Sequence, residues 1–333
     1  MATIKDIAKL AGVSTSTVSH VLNKTRFVSE EISLKVLQAV SELNYAPSAL
    51  ARSLKTNHTK TFGMLVTTST NPFFAEVVKG VEQACYEQGY SLILCNTEGD
   101  PLRINLNLST LLQKRVDGLL LICSEVEAKA FGQLNHYPEL PMVMMDWGPT
   151  DFNCDKIQDN SLLGGYLATQ HLIEMGHTEI ACICGPLDKV PAAQRITGFK
   201  QAMQDANLTI NPDWIITGNF ECDGGVAAYQ ALKQCQQQPT AAFICNDMMA
   251  MGFIHAANKD GISIPQQFSI VGYDDIELAR YLSPALTTIS QPKRLLGQKA
   301  VELLIDKISS KRAETQTIAL EPSLVIRDSV IAK

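Results

Sequence analysis

Apolar positions open the chain at helical spacing. Ile4, Ile7, Ala8 and Ala11 fall on one face, and Thr3 with Asp6 forms a capping box that starts a helix there. Gly12 predicts its end, because glycine readily takes the left-handed conformation at a helix C-terminus. Ser14 is placed to cap a second helix running to about Asn23, with Val18 and Leu22 turned inward. Ser29, followed by Glu30 and Glu31, starts a third, in which Ile32, Val36, Val40 and Leu43 repeat at helical spacing. Helix, glycine turn, helix is the helix-turn-helix arrangement and predicts an all-α head over residues 1–46. Residues 47–60 follow with Pro47 at a first-turn position and a helix-favouring run from Ser48 to Leu54. That run is too short to hold a helix alone in water. It is either a linker or a hinge helix that folds only on DNA or against a dimer mate.

From Thr61 the period changes. Short apolar strands alternate with amphipathic helices: "TFGMLVTT" leads to a helix over 73–88, "YSLILCN" to 101–114 and "VDGLLLIC" to 124–134, and "PMVMMDW" closes the series. After "QDNSLLGGYLATQHLIEMGH" the pattern restarts with "IACICG" and a helix over 191–206. "WIITG", a helix over 223–236, "TAAFICN", a helix over 247–260 and "FSIVGYDD" follow. Such alternation predicts doubly wound parallel sheets in two similar lobes, with ligands bound at the carboxyl ends of the strands, in the cleft between. The lobes are expected at about 61–160 plus 292–322, and at about 161–291 plus 323–333.

Charge separates the head from the rest. Residues 1–60 carry eight Lys and Arg against four acids, whereas the remainder carries 20 against 30. A basic head on an acidic body implies that the head alone meets a polyanion. The start, "MATIKDIAKL", has charges where a signal peptide needs an apolar run, and no 18 consecutive positions are apolar, so a cytoplasmic protein with no membrane partner is expected. The nine cysteines sit mostly in apolar runs, as buried thiols do. Cys182 and Cys184 have no His or Cys pair at ligand spacing, so packing is expected there, with no metal and no cofactor.

The second helix shows Thr15, Ser16, Thr17, Ser19 and His20 on its exposed face. Short hydrogen-bonding side chains suit a helix lying in a major groove, where backbone-to-base distances are small, although hydroxyl-rich first turns are also common in their own right. In the body, the strand ends read "STNPFF", "MDW", "AAQR", "NF", "CND", "GYDD" and "ISQP". Amides, carboxylates and an arginine with rings between them suit a sugar: the polar groups grip hydroxyls and the rings cover C–H faces. Taken singly, Asn246 or Asp274 fits a helix cap or a turn equally well. Asp146 with Asp274 and Asp275 could be paired carboxylates for glycoside hydrolysis. Against catalysis, Arg195 would hold a nearby carboxylate ionised, and there is no glycine-rich phosphate loop, H-E-x-x-H or G-x-S-x-G.

The stretch "TIKDIAKLAGVSTSTVSHVLNKTRFVSEE…LNYAPSALARSLK" closely resembles the head and hinge helix of the LacI/GalR family of transcriptional repressors, and the resemblance extends over the whole chain. It implies a homodimer on a pseudo-palindromic operator and a two-lobed core like that of periplasmic sugar-binding proteins; lacking leucine heptads near Lys333, the chain is expected to stop at the dimer. By residue match, Thr15, Ser16, His20 and Arg26 would reach bases. Ser14, Thr17, Asn23 and Tyr45 would position the DNA backbone, and Leu54 would wedge a minor-groove step beside Lys55. "NPFF", "DNSLLGG", "CNTEGD", "GPLDK" and "YDDIELA" are similar to ribose-binding members, which implies D-ribose as the effector that relieves repression. On that likeness Asn71, Phe73, Phe74 and Asp146 with Trp147 from the first lobe would line the pocket with Arg195, Phe220, Asn246, Asp274 and Gln291. Trp147 stands where the related binding proteins carry an arginine. "KRVDGLL", "MDWG" and "ARYLSPALTTI" also resemble purine-binding members, whose corepressor is hypoxanthine or guanine and which carry an arginine where this chain has Lys189.

Overall fold

Thr3 sets the first helix. Its hydroxyl accepts from the Asp6 amide at 3.4 Å while the Asp6 carboxylate accepts from the Thr3 amide at 2.8 Å, closing the capping box of α1 (Ile4–Ala11). Gly12 ends α1 at φ 68°, and Ser14 caps α2 (Thr15–Asn23) by accepting from the Thr17 amide at 3.1 Å. Ser29 precedes α3 (Glu30–Glu42) but makes no side-chain cap bond, so Glu30 and Glu31 alone answer the positive helix start. Ile7, Ala8, Val18, Val36 and Ala39 form the buried centre of this head. The computed structural model describes residues 2–46, 58–122, 128–145, 153–310, 312 and 314–333, without the side chains of 128–130. Most of the expected hinge segment therefore lies outside the described residues. The chain divides into two compact units, Met1–Thr59 and Lys60–Lys333.

The second unit holds two six-stranded sheets. The first contains β1 (Thr61–Val66), β2 (Ser91–Asn96), β3 (Gly118–Ile122), β4 (Met142–Met145), β5 (Asp155–Asp159) and β11 (Thr317–Leu320), in the order β11-β5-β4-β3-β1-β2 and all parallel. The second contains β6 (Ile180–Cys184), β7 (Ile215–Thr217), β8 (Ala241–Ile244), β9 (Ser269–Asp274), β10 (Thr287–Ser290) and β12 (Ser323–Val325), in the order β12-β10-β9-β8-β6-β7. Only β12 runs antiparallel there, against β10. β3, β6 and β8 are buried along their whole length, which is why they are near-continuous apolar runs. The chain crosses between the sheets after β5, after β10 and between β11 and β12.

Among the described residues, seven helices cover the sheets: α4 (Pro72–Glu87), α5 (Pro101–Gln113), α6 (Ser161–Glu174), α7 (Val190–Asp205), α8 (Cys222–Lys233), α9 (Asp247–Lys259) and α10 (Lys293–Ser310). Three helix pairs meet backbone to backbone. Gly165 of α6 lies against the Arg195 carbonyl and Gly198 of α7 against the Leu162 carbonyl; Gly80 with Gly297 joins α4 to α10, and Gly225 with Gly252 joins α8 to α9, in the same reciprocal way.

Besides α10, β11 and β12, which the sequence pattern leaves without a named element, two elements differ from the sequence reading. The helix expected over 124–134 is instead a 3₁₀ stretch, Ala128–His136, with 123–127 outside the described residues. Its buried side chains, Phe131 and Leu134, are three apart, the spacing that a 3₁₀ turn stacks on one side. Strand β5 was not foreseen, because "DKIQD" has a single apolar residue. Asp155, Ile157 and Asp159 nevertheless alternate inward, and Arg312 compensates Asp155 at 2.8 Å.

Candidate functional site

A cavity of about 430 Å³ opens at the carboxyl ends of the strands, between the two sheets of the second unit. Its first-lobe wall comes from the loops after β1 and β2. Asn71 caps α4, its Oδ1 accepting from the Phe73 amide at 3.0 Å, and Phe73 and Phe74 follow with rings edge-on at 5.2 Å. Thr67, Thr68, Thr70 and Glu98 complete that wall.

The second-lobe wall comes from the loops after β6 to β9. Asn246 caps α9: its Oδ1 accepts from the Met249 amide at 2.9 Å and its Nδ2 donates to the Phe220 carbonyl at 2.8 Å. The cap reading and the cavity reading of this asparagine thus hold together. Phe220 sits at φ 67°, and its ring covers the bare backbone of Gly185, where any Cβ would collide with it. Lys189, Pro191, Asn219 and Glu221 also line this wall. Lys189 pairs with the exposed Asp188 at 2.8 Å.

Arg195 and Asp274 are the buried charges of the cavity, each 4% exposed. Arg195 donates to the Cys245 carbonyl at 2.6 Å, lies 3.8 Å from an Asp274 oxygen and stacks its guanidinium 3.7 Å over the Tyr273 ring. Asp274 adopts φ 108°, a left-handed conformation that L residues rarely take, and Lys293 fixes it by donating to its carbonyl. Burial pushes the Asp274 carboxyl up to about 6, although Arg195 and Lys293 both pull it down. Arg195 does favour the ionised form, as expected, but desolvation of a fully buried carboxylate outweighs a cation at 3.8 Å, so the carboxyl still rises. Burial likewise pushes up the neighbouring Asp247, which accepts from the Thr288 hydroxyl at 2.6 Å and the Ile276 amide at 2.9 Å.

Of the residues expected here, Asn71, Phe73, Phe74, Arg195, Phe220, Asn246 and Asp274 line the one cavity. Gln291 does not. It stands behind Asp274, donating to its carboxylate at 2.6 Å, and supports the site without facing it. Asp146 and Trp147 lie outside the described residues. Thr67, Thr68, Glu98 and Glu221 sit at strand carboxyl ends but are not among the residues expected from sequence; Pro191 lines the cavity from the first turn of α7, and Lys189 stands where purine-binding relatives carry an arginine. Asp275 is turned from the cavity toward Arg327, so the two adjacent aspartates are not a carboxylate pair facing one substrate.

On the head, Thr15 and Ser16 are exposed on α2, while Thr17, Ser19 and His20 are half-buried. Ser14, Ser16 and Thr17 share hydroxyl hydrogen bonds of 2.8 and 2.9 Å. One imidazole nitrogen of His20 meets the Thr25 hydroxyl at 2.8 Å, and the Asn23 amide donates to the Ser19 carbonyl at 2.9 Å. Arg26 is exposed, and half-buried Tyr45 packs on the head core. Leu54 and Lys55 lie outside the described residues.

Comparison with known proteins adds the remaining observations. Residues 3–48 match the model of bacterial regulatory proteins of the lacI family, and residues 169–330 that of a periplasmic binding protein-like domain. The ribose operon repressor of Escherichia coli strain K12 is 56% identical over 329 residues, covering 99% of this chain and 100% of that protein. The HTH-type transcriptional repressor PurR of Aliivibrio salmonicida is 55% identical over 330 residues, covering 99% of each. Among solved structures, the lac repressor dimer bound to operator and the anti-inducer ONPF superposes with a TM-score of 0.89 at 28% identity, again over 99% of each chain.

Proposed function

The chain belongs to the lacI family of bacterial regulatory proteins and is a DNA-binding transcriptional repressor, not an enzyme; on that premise we propose that D-ribose binds between its two lobes and releases it from the operators of ribose uptake and catabolism genes. The observation that carries the reading is the lining of the cavity. Asn71, Asn219 and Asn246, three threonines and the Arg195–Asp274 pair offer donors and acceptors to hydroxyls, and Phe73, Phe74 and Phe220 offer faces to C–H bonds. Its charges are Lys189 and Arg195 against Glu98, Glu221 and Asp274, a balance that favours an uncharged ligand over a phosphorylated one. The similarity to a ribose operon repressor supports the same choice.

A second reading, a purine base acting as corepressor, is favoured by the nearly equal likeness to PurR. An operator titration with each ligand separates them. Ribose should weaken operator binding by about 1–3 kcal/mol of coupling. Binding that tightens with hypoxanthine and ignores ribose would remove the ribose reading and establish the purine one.

For the DNA side, the reading gives a cytoplasmic homodimer on a pseudo-palindromic operator, supported by the likeness to an operator-bound lac repressor dimer. Thr15, Ser16, His20 and Arg26 read bases; Ser14, Thr17, Asn23 and Tyr45 contact the backbone; Leu54 wedges the central step beside Lys55. Leu54→Ala should cost about 1–3 kcal/mol of operator affinity and leave ribose binding intact. Unchanged operator affinity would end the wedge assignment.

A further inference from the structure

Between the cavity and the lobe crossing lies a side-chain contact that no ligand needs to touch. Asp159 is the last residue of β5 in the first sheet, at the point where the chain leaves for the second lobe, and it is 2% exposed. Tyr273 belongs to β9 in the second sheet and is fully buried. The Tyr273 hydroxyl donates to the Asp159 carboxylate across the two lobes. Ser161, in the first turn of α6, donates to the same carboxylate oxygen at 3.1 Å, and the other Asp159 oxygen is buried without a hydrogen-bond partner. On the cavity side, Tyr273 is the neighbour of Asp274 in the chain and carries the Arg195 guanidinium on its ring face. Gly164 makes the approach possible: a Cβ there would overlap the Tyr273 hydroxyl.

We propose that Asp159 and Tyr273 are positioning residues that couple the effector cavity to the lobe crossing: movement of Arg195 or Asp274 on a ligand is passed through the Tyr273 ring to the segment that sets the angle between the lobes. A carboxylate left half-satisfied in a dry site holds its donors tightly, and of the two hydroxyls on it the Tyr273 one comes from the second sheet. The two groups therefore have one favourable separation, and a change of lobe angle must break or remake the bond, which is what a bistable contact requires. The proposal rests on the reading of the cavity as the effector site.

The test compares Tyr273→Phe with Tyr229→Phe in the full-length dimer. Tyr229 is also a buried tyrosine bonded to an aspartate, Asp260 at 3.0 Å, but both belong to the second lobe. Tyr273→Phe keeps the ring under Arg195 and removes only the interlobe hydroxyl; Asp159→Asn is the second variant, should the first fold poorly. Ribose affinity by calorimetry, melting temperature and operator affinity with and without ribose are measured on all three. The expected result is a ribose dissociation constant within about threefold of wild type for Tyr273→Phe, with the ribose-induced loss of operator affinity reduced from about 5–150-fold to less than about twofold. Tyr229→Phe should lower the melting temperature comparably and keep the full loss. Equal coupling in the two tyrosine variants would overturn the proposal. If ribose fails to bind wild type, the effector reading falls by itself, and operator affinity without ligand decides this one: Tyr273→Phe must shift it and Tyr229→Phe must not.

Discussion

Replacing Asp274 by Asn should make the ligand-free protein more stable, by an amount that depends on pH. The carboxyl titrates at 3.8 in the ordinary case and at about 6 in the fold, because burial disfavours its charge more than Arg195 and Lys293 favour it. The folded state thus holds this proton more tightly than the unfolded chain does. Below pH 3.8 both states are protonated and the group costs nothing; from there to about 6 the unfolded chain ionises first and stability falls as pH rises. Above that window the penalty is constant, at about 3 kcal/mol for a displacement from 3.8 to about 6. Asparagine keeps the shape and an acceptor for Gln291 but has no charge to bury. Asp274→Asn should therefore gain about 3 kcal/mol at pH 8, progressively less as the pH falls through 6, and almost nothing below pH 4. Urea unfolding followed by circular dichroism at pH 8, 6 and 4 reads it directly. A gain independent of pH would mean a packing effect, and no gain at pH 8 would mean that Arg195 does compensate the carboxylate, which refutes the burial argument.

Four further outcomes are expected, two at the cavity and two on the head. If ribose hydroxyls donate to ionised Asp274, ribose affinity should rise about tenfold between pH 5 and pH 7 and then level off, read by calorimetry; a flat profile would place the hydroxyls elsewhere. Gly165→Ala should cost about 1–3 kcal/mol of stability and weaken ribose binding, because the new Cβ strikes the Arg195 carbonyl and displaces α7; full ribose affinity in the folded variant would contradict that placement. On the head, Arg26→Ala should reduce the salt slope of operator binding by about 1 if Arg26 also neutralises a phosphate, and His20→Ala should reduce discrimination between operator and random DNA. Equal losses on both DNAs would make His20 a backbone contact.

What could be read from the sequence was whatever a local pattern determines. The capping box at Thr3, the stop at Gly12 and the cap at Ser14 need only residues three apart, and all three form as spaced. Arg195, Asn246 and Asp274 could be found because strand-helix alternation says which end of a strand faces the cleft. The same rule, pursued through every loop, would have found Glu98 after β2 and Lys189 after β6. Rank was not visible. Gln291 also follows a strand, yet it backs Asp274 instead of facing the cavity, and that depends on which loop lies in front. Depth was not visible either, and the pKa of Asp274 turns on it. Strand β5 escaped because Asp155 and Asp159 are buried by partners 157 and 114 residues away, Arg312 and Tyr273.

The costs at this site are gathered in one place. Phe220, Asp274 and Asp275 all adopt left-handed backbone conformations, at φ 67°, 108° and 53°, each costing about 1–3 kcal/mol in a non-glycine residue. Asp274 adds its buried charge. Such conformations persist only where surrounding contacts over-determine them, and for Asp274 those contacts come from the segments that cross between lobes. Lys293 and Gln291, just past β10, hold the Asp274 carbonyl and carboxylate, and Asp159, at the end of β5, holds Tyr273. A group held by the crossings cannot respond to a ligand without loading them, and the crossings cannot bend without moving that group. Linkage makes the two statements one: whatever free energy an effector gains by selecting one lobe angle is the free energy by which that angle alters the effector's affinity.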